Sequence, residues 1–212
     1  TDFNTDRVIG RLREIDQACA ASVTTVLTSP HSLLGPRTAL KGPVRKEIER
    51  LLKRRERRDC FTASQLDALN YIIDNQLTLV WGPPGTGKTH FLALAVLTLL
   101  EAAARAGRPM RILVTAFTHA AIENCLRKID SLREDLGMDQ DDAPLVKLGP
   151  VYTQGCEGID CIDRDGAIGF IGRNERCLVG GTVNKMQGQE CEVVIVSYGL
   201  ADPECAMIEG EF

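Results

Sequence analysis

The spacing of apolar residues changes at Phe61, and with it the structure the chain predicts. Ahead of that point the pattern is helical: Val8, Leu12, Ile15 and Cys19 recur at the three- and four-residue intervals of one helix face. A loop punctuated by Ser29-Pro30 and Gly35-Pro36 follows. Pro43 then stands where the first turn of a helix accepts it, and Val44, Ile48, Leu51 and Leu52 form one stripe with Arg and Lys around it. From Phe61 onward helices and strands alternate. The pattern predicts a helix over 62–74, a buried strand over 77–81, a helix over 88–106, a strand over 111–116 and a helix over 119–129. Residues 91–100 are apolar almost all round, as a helix lying against a sheet requires. Polar or Gly/Asp-rich loops are expected at 139–142 and 155–165. Short strands are expected at 167–171, 178–183 and, most clearly, 192–198. Such alternation implies a parallel sheet covered on both faces, with any ligand at the carboxyl ends of its strands.

Between the expected strand at 77–81 and the helix from Lys88 lies Gly82-Pro83-Pro84-Gly85-Thr86-Gly87-Lys88-Thr89, the pattern G-x-x-x-x-G-K-[ST]. Glycines let backbone N–H groups turn inward around a phosphate, and the helix N-terminus adds a favourable dipole. Lys88 would reach the β- and γ-phosphates of a nucleoside triphosphate, and the Thr89 hydroxyl would ligate Mg²⁺. His90 follows in the same helical turn and completes the expected cofactor-contacting set.

Bulk composition narrows the class. The 212 residues are 44% hydrophobic and 25% charged, as in a globular protein, and no apolar stretch reaches the roughly eighteen residues that span a bilayer. No secretory signal is visible, so an intracellular setting, cytoplasmic or nuclear, is expected. The first residue is Thr1, which leaves open that the natural N-terminus lies further upstream. Eight cysteines are scattered without a C-x-x-C pair; Cys156 and Cys161 are the nearest two, and free thiols are expected in place of a zinc site or a disulfide framework. The net charge of −4 conceals a basic stretch, nine Lys and Arg against three Glu over 41–58. That stretch reads either as a phosphate-contacting surface or as the solvated face of a helix.

Three further segments resemble those of superfamily 1 helicases. Phe61-Thr62-Ala63-Ser64-Gln65 resembles their Q motif, and Thr115-Ala116-Phe117-Thr118-His119-Ala120-Ala121-Ile122-Glu123-Asn124 their motif Ia. Gly181-Thr182-Val183-Asn184-Lys185-Met186-Gln187-Gly188-Gln189-Glu190 is similar to their motif V. The segments resemble those of the 1B branch, which contains the nonsense-mediated-decay helicase and the Okazaki-fragment nuclease-helicase. The resemblance implies an α/β P-loop NTPase with a RecA-like parallel sheet, incomplete here and preceded by a helical segment at 1–60. It implies an ATP-binding core at 61–150 and a remnant of a second RecA-like domain at 151–212. It also implies that Gln65 reads the adenine edge, for which an amide has both donor and acceptor. Thr115, Thr118 and Asn124 are implied to contact a single-stranded DNA or RNA backbone. Thr182 and Gln187 are implied to couple strand and nucleotide, with Gly188 near the γ-phosphate.

One part of the pattern is missing. A helicase of this kind carries an apolar strand ending in Asp-Glu, which holds Mg²⁺ and positions water. No Asp-Glu dipeptide occurs in the chain, and the one comparable apolar run, Val193-Val194-Ile195-Val196, leads into Ser197-Tyr198. Only about fifty residues separate the motif Ia helix from motif V, where two partial domains need on the order of two hundred. The expectation is therefore an ATP-binding, nucleic-acid-dependent ATPase or helicase in shortened form. The alternative is a non-catalytic nucleotide-binding or interaction protein derived from one. A clamp-loader type of P-loop ATPase would share residues 82–89 but not the motif V stretch.

Overall fold

The computed structural model describes residues 40–54, 57, 60–83, 85–138, 144–152, 159–186 and 191–197. The helix expected over 8–19 lies outside the described residues, as does the loop at 139–142. Helix α1 (Pro43–Lys53) begins after Gly42, whose φ of 63° reverses the chain, and carries Pro at its first turn. Its apolar stripe, Val44, Ile48 and Leu51, is buried against α3 (Lys88–Arg105). Part of the basic stretch is committed to internal pairs. Arg45 bonds Glu49 at 3.1 Å and Asp74 at 2.5 Å, Arg50 pairs with Glu47, and the buried Arg57 pairs with Glu101 of α3.

Helix α2 (Ala63–Asp74) opens on a capping box. The Thr62 hydroxyl accepts the Gln65 N–H at 3.3 Å, and the Gln65 side-chain oxygen accepts the Thr62 N–H at 3.1 Å. In α3 every residue from Ala93 to Leu100 is buried, Thr98 included because its hydroxyl bonds the Leu94 carbonyl at 2.7 Å.

Strands β1 (Met110–Ala116), β2 (Leu145–Leu148), β3 (Asp160–Ile162), β4 (Arg176–Thr182) and β5 (Val193–Ser197) form one sheet in the order β3-β2-β4-β1-β5. Every pairing is parallel. This is the RecA-like P-loop architecture, incomplete, with helices on both faces. The sheet runs across residue 150: β2 and β3 pair at Val146↔Asp160, and β4 and β5 flank β1. Period-two alternation splits the core. Ile112, Val114, Leu178 and Val193 join the core of α1, α2, α3 and α4 (His119–Asp135) on one face. Leu113, Val146, Cys177 and Val179 pack with Ala167 and Ile171 of α5 (Arg164–Arg173) on the other.

Close packing explains Gly180-Gly181. A Cβ on Gly180 would lie 2.7–3.0 Å from the Leu126 side chain, and one on Gly181 would lie 2.9 Å from Leu148 Cβ. Gly180→Ala is therefore expected to destabilise the fold by about 1–3 kcal/mol through overpacking, read as a lower urea midpoint with an unchanged slope. No loss would mean that α4 shifts freely on the sheet.

Three elements depart from the sequence reading. Residues 77–81 form no strand: Leu79 is 93% and Trp81 84% exposed. Here β1 already has β4 and β5 on its two edges, and Thr78 Oγ1 bonds the Tyr71 carbonyl at 3.0 Å, turning the chain back onto the end of α2. Residues 167–171 are helical, not extended, because Asp163 caps α5 by accepting the Gly166 N–H at 2.6 Å. The loop expected over 155–165 contains β3, and β2 was not foreseen at all.

Candidate functional site

The loop 82–89 is shaped by its glycines. Gly85 and Gly87 hold φ of 82° and 77°, which a side chain would strain, and a Cβ on Gly82 would meet Thr86 Oγ1 at 2.8 Å. Thr86 Oγ1 donates to the Pro83 carbonyl at 2.9 Å and closes the turn. Gly87 is the N-cap of α3 and offers no side chain, so the first-turn N–H groups around Lys88, Thr89 and His90 point into the loop without a side-chain cap. Lys88 Nζ donates back to Gly82 O at 2.5 Å and Pro83 O at 2.8 Å. Pro84 lies outside the described residues.

Gln65 is brought to this loop. A Cβ on Gly87 would sit 3.5 Å from Gln65 Nε2, while the amide oxygen is engaged in the α2 capping box. The amide expected to read adenine is thus already engaged in a local structural bond through its oxygen.

Beside the loop lies a cleft of about 750 Å³ lined by Gly85, Gly87, Lys88, Thr89, His90, Asn124, Arg127, Lys128 and Ser131. The last four come from α4 at positions three, four and seven apart, one face of that helix. Asn124, expected at a nucleic-acid contact, therefore shares a cleft with Lys88. Thr118 caps α4 by accepting the Ala121 N–H at 3.2 Å. Thr115 is buried in β1, its hydroxyl without a partner, and Thr182 is buried at the end of β4. Both lie at the carboxyl edge of the sheet, level with Gly181 and Ala116. Gln187 and Gly188 lie outside the described residues.

Sequence reasoning missed a buried charged cluster next to this edge. Lys147 of β2 and Glu123 of α4 are both 0% exposed, and Lys147 Nζ lies 3.1 Å from Glu123 Oε1. Lys147 also donates to the Pro150 carbonyl and stands 3.4 Å from His119 Nδ1 and 5.4 Å from the Tyr152 ring centroid. Glu123 accepts the Tyr152 N–H at 2.9 Å, and the His119 ring packs tilted against Tyr152, centroids 4.9 Å apart. Burial, then the charges of Lys147 and Lys185, hold the His119 imidazole below its ordinary range, and Glu123 opposes them. The available signal was one Lys within the apolar run Leu145-Val146-Lys147-Leu148.

Among the described residues an acidic side chain, Glu192, adjoins β5 at its amino end. Glu192 accepts the Arg111 backbone N–H at 2.9 Å and its guanidinium at 2.6 and 3.0 Å, tying the starts of β1 and β5. Burial pushes the Glu192 carboxyl up, but the Arg111 bonds more than offset it and the group stays below its ordinary range. Ser197 stands at the other end of the strand, roughly 16 Å away at the rise of an extended chain. Burial raises the thiols of Cys125 and Cys177 to about 12 and of Cys191 to about 11, so none is a thiolate nucleophile at neutral pH. Cys161 is exposed and Cys156 lies outside the described residues. Among the described residues no group of three or more His, Cys, Asp or Glu is placed to hold a metal, and no helix is long and apolar enough to cross a membrane.

Comparison with known proteins covers the same region. Residues 61–154 match a family described as AAA domain. The chain is 34% identical over 77 residues to the NFX1-type zinc finger-containing protein 1 homolog of Caenorhabditis elegans, covering 35% of this chain and 3% of that protein. It is 35% identical over 92 residues to the DNA replication ATP-dependent helicase/nuclease dna2 of Schizosaccharomyces pombe, covering 42% of this chain and 6% of that protein. The match thus spans a small fraction of each relative's length. No solved structure matches significantly.

Proposed function

With a superfamily 1 helicase-like region established in this chain, we propose that it binds ATP with Mg²⁺ at residues 82–89 and couples that site to single-stranded DNA or RNA. The setting would be inside the cell. The observation that carries this reading is the cleft that joins Lys88 and Thr89 to Asn124 of α4. The residues fit a triphosphate: two glycines with positive φ, a helix N-terminus left without a side-chain cap, and a lysine within reach of the loop's own carbonyls.

In this reading the N–H groups of the α3 first turn bind phosphate oxygens. Lys88 exchanges its bonds to Gly82 and Pro83 for the β- and γ-phosphates. Gln65, beside Gly87, orients the adenine. Thr89 would ligate the metal, which when bound neutralises charge on the phosphate oxygens. Thr118 caps α4 at the sheet's carboxyl edge and Asn124 lies in its second turn, where they would stand between nucleotide and nucleic acid. Gln187 and Gly188 would follow from the motif V stretch. Similarity to the DNA replication ATP-dependent helicase/nuclease of Schizosaccharomyces pombe favours ATP and DNA.

A second reading has its own observation. Where a water-positioning carboxylate is needed, β5 ends in Ser197, and the nearby acid, Glu192, is held by Arg111 at the opposite end. That favours nucleotide binding with little or no hydrolysis.

ATP turnover with and without single-stranded DNA or RNA separates the two. Stimulated turnover that disappears in Lys88→Ala supports the motor reading, and binding without turnover supports the second. Absence of binding would sink both. Gln65→Ala is expected to weaken ATP about fivefold and GTP little, the worth of one or two hydrogen bonds. Equal losses for the two nucleotides would remove the base-reading role.

A further inference from the structure

The face of α4 that closes the cleft carries charge with no role so far. Among the described residues three full positive charges line the cleft, Lys88 from α3 and Arg127 and Lys128 from α4, and no carboxylate does. Asn124 and Ser131 flank the two α4 cations on the same face. Arg127 bonds Asn124 and is exposed; Lys128 is half-buried and makes no ion pair among the described residues. A wall of this composition repels cations and an apolar ligand gains nothing from it. It suits a multiply charged anion.

Which anion follows from the opposite wall. Lys88 and Thr89 are the residues that serve the β- and γ-phosphates in the reading above, and both line the cleft. Gln65, expected at the base, does not line it. The α4 wall therefore faces the phosphate end of a nucleotide and not its base.

We propose that Arg127 and Lys128 of α4 form a second phosphate-contacting wall that recognises the terminal phosphate of a nucleoside triphosphate and so distinguishes ATP from ADP. This rests on the nucleotide-binding reading of residues 82–89. Because α4 also begins at Thr118 in the motif Ia stretch, its charged face links the state of the nucleotide to the segment expected to touch nucleic acid. Arg127 and Lys128 are positioned to bind, not to react.

The test is the affinity of the full 212-residue chain for a non-hydrolysable ATP analogue and for ADP, by calorimetry, in the wild type, Lys128→Gln, Arg127→Gln and Lys88→Ala. Loss of one charge-assisted contact predicts about tenfold weaker binding of the ATP analogue in Lys128→Gln and less than about twofold for ADP. Lys88→Ala should weaken both. If Lys88→Ala loses binding while both α4 variants retain it, or if ADP and ATP analogue weaken equally, the terminal-phosphate wall is overturned and the loop assignment stands. If the wild type binds neither nucleotide, the inference falls together with the reading beneath it. Arg127 is exposed, so its variant keeps the test open should Lys128→Gln fail to fold. Affinity for a single-stranded oligonucleotide is measured alongside. A loss there with nucleotide affinity unchanged would assign the wall to nucleic-acid phosphates and overturn the proposal.

Discussion

Lys147→Met is expected to destabilise the protein by about 3–5 kcal/mol, the cost of breaking a buried ion pair by removing one member. Lys147 and Glu123 are both fully buried, their charged atoms 3.1 Å apart, with the Pro150 and Gly149 carbonyls sharing the ammonium protons. Removing the amine leaves the Glu123 carboxylate inside the protein, still accepting the Tyr152 N–H but stripped of its lysine. The double variant Lys147→Met/Glu123→Gln should recover most of the loss. Its amide oxygen still accepts from Tyr152, and no net charge is left inside. Urea midpoints of wild type, both single variants and the double variant give the coupling directly. A single-variant cost below about 1 kcal/mol, or a double variant no more stable than the single, would show that packing and not the ion pair holds β2 to α4.

The second large effect is functional. Lys88→Ala is expected to lower ATP affinity by about 10- to 100-fold, since hydrogen bonds to charged groups contribute about 1.5–3 kcal/mol. The fold should be untouched. Lys88 is exposed, and its present partners are carbonyls of Gly82 and Pro83 in the same exposed loop. The check is nucleotide titration together with a urea midpoint. Undiminished affinity in a normally stable variant would remove residues 82–89 from the binding site.

What could be read from the sequence was whatever local chemistry decides by itself. Helix α3 was legible because ten nearly unbroken apolar residues after a glycine loop admit few other structures, and β1 because Ile112-Leu113-Val114 stand together between two helical patterns. The Thr62–Gln65 capping box marks the start of α2 in the letters alone. Elsewhere tertiary context decided. Strands β2 and β3 have four and three residues, too few for a period to emerge. Ala167 to Ile171 has strand-like apolarity, but the Asp163 cap upstream outweighs it. Leu77 to Trp81 has every local mark of a buried strand and no free edge beside β1. At the candidate site, Lys88, Thr89 and Gln65 were visible as motif letters. The α4 wall was not, because its membership depends on how α4 packs against α3, which no local pattern encodes. Lys147 looked like an interruption in an apolar run, and only the approach of Glu123 makes it a core residue.

The pairing register of β1 sets the order in which the chain can fold. Both neighbours of β1 lie downstream: Arg111 pairs with Cys177, and Ile112 with Val193. During synthesis roughly sixty further residues must emerge before either edge of β1 is covered, a delay of several seconds at ordinary elongation rates of about 5–20 residues per second. Throughout that interval Ile112, Leu113 and Val114 present an apolar strand with two bare hydrogen-bonding edges, a ready template for a neighbouring nascent chain. A chain halted anywhere in 117–175 keeps those edges bare for good. The centre of the finished sheet is thus the most hazardous part of the unfinished one, and chaperone cover should be needed most before β4 is made.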